Sequence, residues 1–107
     1  MWSVIYTDSA NLDLQGIYDY ISDILLEPII AEKQTDRIMD AADSLNQMPL
    51  RHRLCDYEPW RSMGLRFMPV DNYLVFYLPD EASETVSIMR VIYGGRDIGT
   101  HLGVPES

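Results

Sequence analysis

Positive charge is scarce in this sequence. Eight Lys and Arg stand against seventeen Asp and Glu, a net charge of −9 over 107 residues. Gripping phosphates at many points needs a surplus of Lys and Arg to displace counterions, so strong, non-specific nucleic-acid binding is not expected. Cysteine is almost missing too: Cys55 stands alone, which rules out an internal disulfide. No Cys or His lies at zinc-ligand spacing from it, so no metal or cofactor is expected, and a reducing cytoplasm fits better than an oxidising compartment. Long apolar runs are absent as well. The longest lie near residues 73–78, far too short to span a bilayer. The opening MWSVIYTDSA has neither the basic start nor the apolar stretch of a secretion signal. A soluble, cytoplasmic protein without a membrane partner is the expectation.

What is present points to a folded domain. Apolar residues make up 47% and charged residues 23%, the balance of a globular chain. The length suits one domain over 1–107, with 103–107 expected to be a flexible tail. The charge is uneven, because residues 1–50 hold nine acids but only Lys33 and Arg37, whereas 51–107 hold six arginines against eight acids. Any anion-handling surface therefore belongs to the second half.

The apolar pattern sets the order of elements. Residues 2–7, WSVIYT, are β-branched and aromatic and predict a strand. Asp8 or Ser9 is expected to cap a helix whose stripe is Ala10, Leu14, Ile17, Ile21 and Ile24 or Leu25. Pro28 suits a first turn, so the chain is expected to break at Leu26 to Glu27 and start a second helix carrying Ala31, Ile38, Ala41, Leu45 and Met48. Residues 50–62 lack a period and read as a loop with room for a short strand. Leu65 and Phe67, then YLVFYL, then residues 86–93 predict three strands with turns at Asp71-Asn72 and Pro79–Ser83. Gly94-Gly95 ends the last strand, and the tail has room for one helical turn. The order β-α-α-β-β-β predicts an α+β fold, a helical hairpin on one face of a small antiparallel sheet. The other face is expected to stay partly open as a working surface.

Arg66, Arg90 and Arg96 come from the strand region and the turn after it, and a meander would gather them. Arg90 falls in phase with Val86, Ile88 and Ile92, so its charge must be paired or reach solvent. The plainer alternative is that Arg90 and Arg96 pair with local acids such as Asp97 or Glu84. Tyr93 is either an acid or stacking group or simple packing at a strand end, and His101 is either a titrating group or a lone exposed histidine. Arg51, His52 and Arg53 form a basic patch, solvated or touching a partner. Trp60 is an exposed partner anchor or is tucked under the sheet. Cys55 beside Asp56 is expected to be an inert thiol. Asp19, Asp23 and Glu27, and likewise Glu32, Asp36, Asp40 and Asp43, form acidic rows at helical spacing, read as solvated faces.

These segments together resemble a known family. VIYTDSANLDLQGIYDYI (4–21) is similar to the first strand and helix of RelE/ParE toxins. GLRFMPVDNYLVFYLPDE (64–81) followed by VSIMRVIYGGRDI (86–98) resembles the ParE-type ending. The resemblance implies the toxin half of a type II toxin–antitoxin pair, bound and neutralised by a cognate antitoxin in a hetero-oligomer. It also implies one of two targets, since RelE-like members cut messenger RNA on the ribosome and ParE-like members poison DNA gyrase. Leu65, Phe67 and Leu74 fall where the RelE-like branch carries two lysines and an arginine. Arg96 matches that branch's distal arginine, and Leu102 replaces its C-terminal tyrosine. The chain also departs from ParE, with Tyr93 where histidine is frequent and with unusual acidity. The expectation is a ParE-like gyrase poison needing no catalytic residue, its partner contacts drawn from Arg51, Arg53, Trp60, Arg66, Arg90 and Arg96. The alternatives are a ribosome-dependent endoribonuclease using Arg66, Arg90, Tyr93, Arg96 and His101, and a degenerate toxin that keeps only antitoxin binding.

Overall fold

The computed structural model describes residues 1–103, so the expected tail beyond Gly103 lies outside the described residues. Strand β1 spans Ser3–Tyr6 and helix α1 spans Asp8–Asp19, continuing through a wide π turn over Tyr20–Ile24. Helix α2 covers Pro28–Asp43, with Pro28 in its first turn, where the missing N–H is no loss. A short helix α3, Trp60–Met63, precedes strands β2 (Arg66–Val70), β3 (Tyr73–Asp80) and β4 (Thr85–Tyr93), and one turn of helix α4, Ile98–Leu102, closes the chain.

The α+β class and the β-α-α-β-β-β order hold, with short extra helices. The sheet order is β1-β4-β3-β2. Three strands form the antiparallel meander, but β1 joins β4 in parallel, so the sheet is mixed and not wholly antiparallel. The helical hairpin supplies the crossover that a parallel neighbour requires.

Thr7, rather than Asp8 or Ser9, caps α1. Its hydroxyl oxygen accepts from the Ala10 N–H at 3.2 Å and its O–H donates to the Ile88 carbonyl at 2.8 Å, so one side chain starts the helix and fastens the end of β1 to β4. The hairpin buries Ala10, Leu14, Ile38, Ala42 and Leu45 against Met68, Val75, Tyr77, Val86 and Ile88. Thr35 joins the buried stripe because its hydroxyl donates to the Ala31 carbonyl one turn back, at 3.0 Å. Two expected stripe positions lie outside the core. Ile24 and Leu25 stay exposed because the π turn rotates the end of α1 away from the sheet, and Met48 is exposed because α2 has already ended.

Leu26 follows the π turn in left-handed backbone, φ 56°, a conformation that costs a side-chain-bearing residue about 1 kcal/mol relative to glycine. Its side chain touches little, being 76% exposed. Leu26→Gly is therefore expected to raise stability by up to about 1 kcal/mol, and a higher thermal midpoint by circular dichroism checks it.

Candidate functional site

β4 outruns β1. The parallel pairing covers only Thr85–Ile88, leaving β4 without a strand neighbour on its β1 side from Met89 to Tyr93, where only β3 is paired with it. Along this edge, between α1, the start of α2 and β4, lies an open cleft of about 890 Å³, lined by Ile17, Tyr20, Leu25, Ile30, Tyr73, Tyr93 and Arg96 among others. Tyr93 meets Tyr73 edge to face, ring centroids 5.7 Å apart, and burial pushes the Tyr73 hydroxyl pKa up, so that it remains an O–H donor. Gly95 makes room for this: a Cβ there would stand 2.7 Å from the Tyr93 ring.

Asp13 and Arg90 form the inner wall. The Arg90 guanidinium donates through Nε and Nη2 to the two Asp13 carboxylate oxygens at 2.7 and 3.1 Å, and through Nη1 to the His101 carbonyl at 2.7 Å. Asp13 also accepts the Val91 N–H at 2.9 Å. One carboxylate thus ties α1 to β4 and fills a place on the open strand edge, and the same arginine fixes α4. The hydrogen bond to Asp13 holds the Arg90 proton more firmly than usual.

The three arginines expected to gather do not. A bulge at Met89 shifts the register, so Phe76 faces Arg90 while Tyr77 faces Ile88. Val86 and Ile88 point at the helices, and beyond the bulge Arg90 and Ile92 turn to the other side. Arg66 pairs in register with Tyr77 on the helix side and donates to the His52 carbonyl. Arg90 finds Asp13, not Asp97 or Glu84. Arg96 is exposed and makes no ion pair among the described residues; its neighbour Asp97 caps α4 instead, accepting from the Thr100 hydroxyl at 2.8 Å, a bond that lowers the Asp97 pKa. Tyr93 and His101 line the same cleft as Arg96.

Arg51 is exposed and donates to the Gln47 and Met48 carbonyls, closing the end of the helical region. Arg53 pairs with Asp56 at 3.2 Å and lies 5.2 Å from the Phe67 ring centre. Trp60 takes the tucked position, buried, with its indole N–H donating to the Gly103 carbonyl at 2.9 Å, so it is no exposed anchor. His52 turns inward, edge-on to Tyr77, its Nε2 buried without a partner among the described residues.

Burial, then the Arg51 charge, lowers the His52 pKa below its ordinary 6.5. Because the folded value is the lower one, the unfolded chain binds more protons below about pH 6.5, and stability falls as the pH drops through that point. Wild type is expected to lose more stability than His52→Phe between about pH 6.5 and 5, read as the difference in urea midpoints.

The face of the sheet away from the hairpin is not an open surface. The segment 52–63 runs beside β2, with the Cys55 N–H donating to the Leu65 carbonyl at 2.8 Å, and α4 folds over the other end. Cys55, Trp60, Leu65, Phe76, Ile92, Ile98 and Leu102 form a second buried core there, with Phe67 and Leu74 packed against it. Among the described residues no three His, Cys, Asp or Glu side chains cluster as a metal site, and no helix is long and apolar enough to cross a membrane.

Sequence reading missed Asp13, Tyr20 and Tyr73. Nothing in the sequence around Asp13 sets it apart, and the only available signal was that Arg90, in phase with apolar neighbours, must be paired or reach solvent.

A helical hairpin on one face of a four-stranded sheet, with the strand edge left open beside it, is the architecture of the RelE/ParE toxin fold. The structure superimposes on the chromosomal ParDE toxin–antitoxin system from P. aeruginosa with a TM-score of 0.71, at 23% identity over 87% of this chain and 96% of that one. It is similar to the RelBE2 toxin–antitoxin complex from Mycobacterium tuberculosis (TM-score 0.62, 23% identity, 86% and 90% covered). It is more distantly similar to the E. coli RelBE toxin–antitoxin complex (TM-score 0.55, 9% identity, 90% and 100% covered). Among curated proteins no sequence matches. Residues 4–98 match the family described as ParE toxin of type II toxin–antitoxin system, parDE. The chain belongs to the ParE toxin family.

Proposed function

We propose that this toxin acts in the cytoplasm by binding rather than by cutting RNA, poisoning DNA gyrase, and that a cognate antitoxin neutralises it by covering the cleft beside β4. The observation that carries this reading is the second core. Stabilising charge on a phosphate needs cationic side chains aimed at it. At the positions where the RNA-cleaving branch holds lysines and an arginine, this chain has Leu65, Phe67 and Leu74, packed into that core. Arg66, Arg90 and Arg96 do not substitute for them, since Arg66 and Arg90 face opposite sides of the sheet and Arg90 is held by Asp13. Tyrosine and arginine are the residues that most often dominate protein contacts. Tyr20, Tyr73, Tyr93 and Arg96 line the cleft in that role.

Induced expression in a bacterial host lacking the antitoxin tests this. Growth arrest with gyrase-dependent DNA breaks and intact bulk mRNA is the expected result. Cut mRNA with intact DNA would assign the chain to the endoribonuclease branch, and unimpaired growth would make it a degenerate toxin.

A further inference from the structure

The second core has a gap in it. Where the segment 52–63 meets α4, a cavity of about 150 Å³ opens between Phe67, Leu74 and Phe76 of the sheet, Ile98 of α4, and Cys55. Protein interiors are packed so tightly that voids larger than a water molecule are few. An unfilled void deprives every side chain around it of contacts, and the cost grows with its volume. Here the walls include two of the most buried side chains in the molecule, Cys55 at 1% and Phe76 at 2% exposure.

Water suits this space poorly, because a buried water needs several polar partners. The walls offer hydrocarbon and a thiol, and the Cys55 N–H is already donated to the Leu65 carbonyl. Asp56 stands at the rim, exposed, with its carboxylate held by Arg53 at 3.2 Å and Arg61 at 3.7 Å. A cationic ligand would find that carboxylate already neutralised, and an anionic one would meet no cation on the walls. The complementary occupant is uncharged. Phe67 and Phe76 pair with ring centroids 5.9 Å apart and planes tilted by 38°, so a third ring can join them edge to face, and the Cys55 sulfur is a soft contact for its edge. Tyr57 supplies the last wall and is partly exposed at the entrance. Its ring lies on Gly99 of α4, where a Cβ would stand 2.9 Å from it.

We propose that this cavity binds a small, neutral, single-ring aromatic molecule between Phe67, Leu74, Phe76 and Ile98, with Tyr57 across the entrance. An apolar cavity of about this volume walled by Leu, Ile and Phe stays dry and takes up a benzene-sized ring. The site lies on the opposite face of the sheet from the cleft beside β4 and does not depend on the toxin reading. Ile98 belongs to α4, whose His101 carbonyl is held by Arg90, so an occupant also braces α4 against the sheet.

The test titrates toluene, benzoate and benzylamine, rings of similar size but different charge, into the purified chain while NMR follows the methyl resonances of Leu74 and Ile98. Toluene is expected to shift these methyls and to bind at least roughly tenfold tighter than either charged ring. At saturation it is expected to raise the thermal midpoint by roughly 5 °C. Cys55 is the only cysteine, so its alkylation by iodoacetamide reads the same site. Toluene is expected to slow that reaction several-fold, and Tyr57→Ala, which removes the ring at the entrance, to speed it. Leu74→Phe, which fills the space, is expected to weaken toluene binding by at least roughly tenfold. The Cys55 readout on the unaltered chain needs no variant to fold. Equal binding of the three rings, toluene shifts centred on Ile24–Ile30 with Leu74 and Ile98 unmoved, or alkylation of Cys55 indifferent to toluene overturns the proposal.

Discussion

Leu65→Lys is expected to abolish the folded state. Leu65 is fully buried beneath the segment 52–63, its N–H donating to the Trp60 carbonyl at 3.0 Å and its carbonyl accepting from Cys55. A lysine there places an ammonium among Cys55, Trp60 and Phe76 with no carboxylate in that core. Leaving a charge unpaired in such a place costs on the order of 5 kcal/mol or more, comparable with the whole stability of a small domain. Loss of the cooperative urea transition is the expected observation. Leu65→Met, which conserves volume, is expected to cost less than about 1.5 kcal/mol. A Leu65→Lys protein that unfolded near the wild-type midpoint would show that the second core is loose enough to admit a phosphate-binding side chain. The leucine at this position would then no longer speak against RNA cleavage.

Asp13→Ala is the second large effect. It strips the partner from Arg90, whose side chain is 29% exposed, and the acceptor from the Val91 N–H. Removing one member of a partly buried pair costs more than the pair contributes, because the remaining charge stays desolvated, and the expected loss is about 3 kcal/mol. Adding Arg90→Met to Asp13→Ala is expected to recover part of that loss, giving a coupling energy of about 2 kcal/mol in the double-mutant cycle of these two substitutions from urea unfolding. Additive single effects would mean that the two side chains hold α1 and β4 independently.

The fold was legible in the sequence because its main elements follow simple periods. The two helical stripes and the three alternating C-terminal strands each state which face is buried, and Pro28, the Asp71-Asn72 turn and Gly94-Gly95 punctuate them. What failed was whatever depends on a one-residue shift or on another element. The Met89 bulge reversed the faces of Arg90 and Ile92, and no alternation pattern reports a bulge in advance. The π turn at Tyr20–Ile24 turned Ile24 and Leu25 from expected core into exposed surface. The parallel seating of β1 and the closure of the second face by residues 52–63 and α4 are pairings between distant segments. The site was half legible for the same reason. Tyr93, Arg96 and His101 share a cleft, but its other wall comes from α1 and α2, where Asp13, Tyr20 and Ile30 carry no signal tying them to β4.

Purified components decide whether this toxin binds its target and leaves RNA uncut. The chain is incubated with DNA gyrase and supercoiled plasmid in one reaction, and with translating ribosomes on a defined message in another. Gyrase-dependent linear DNA and an intact message are the expected results. A message cut on the ribosome, lost in Arg96→Ala, with plasmid left supercoiled, would contradict it.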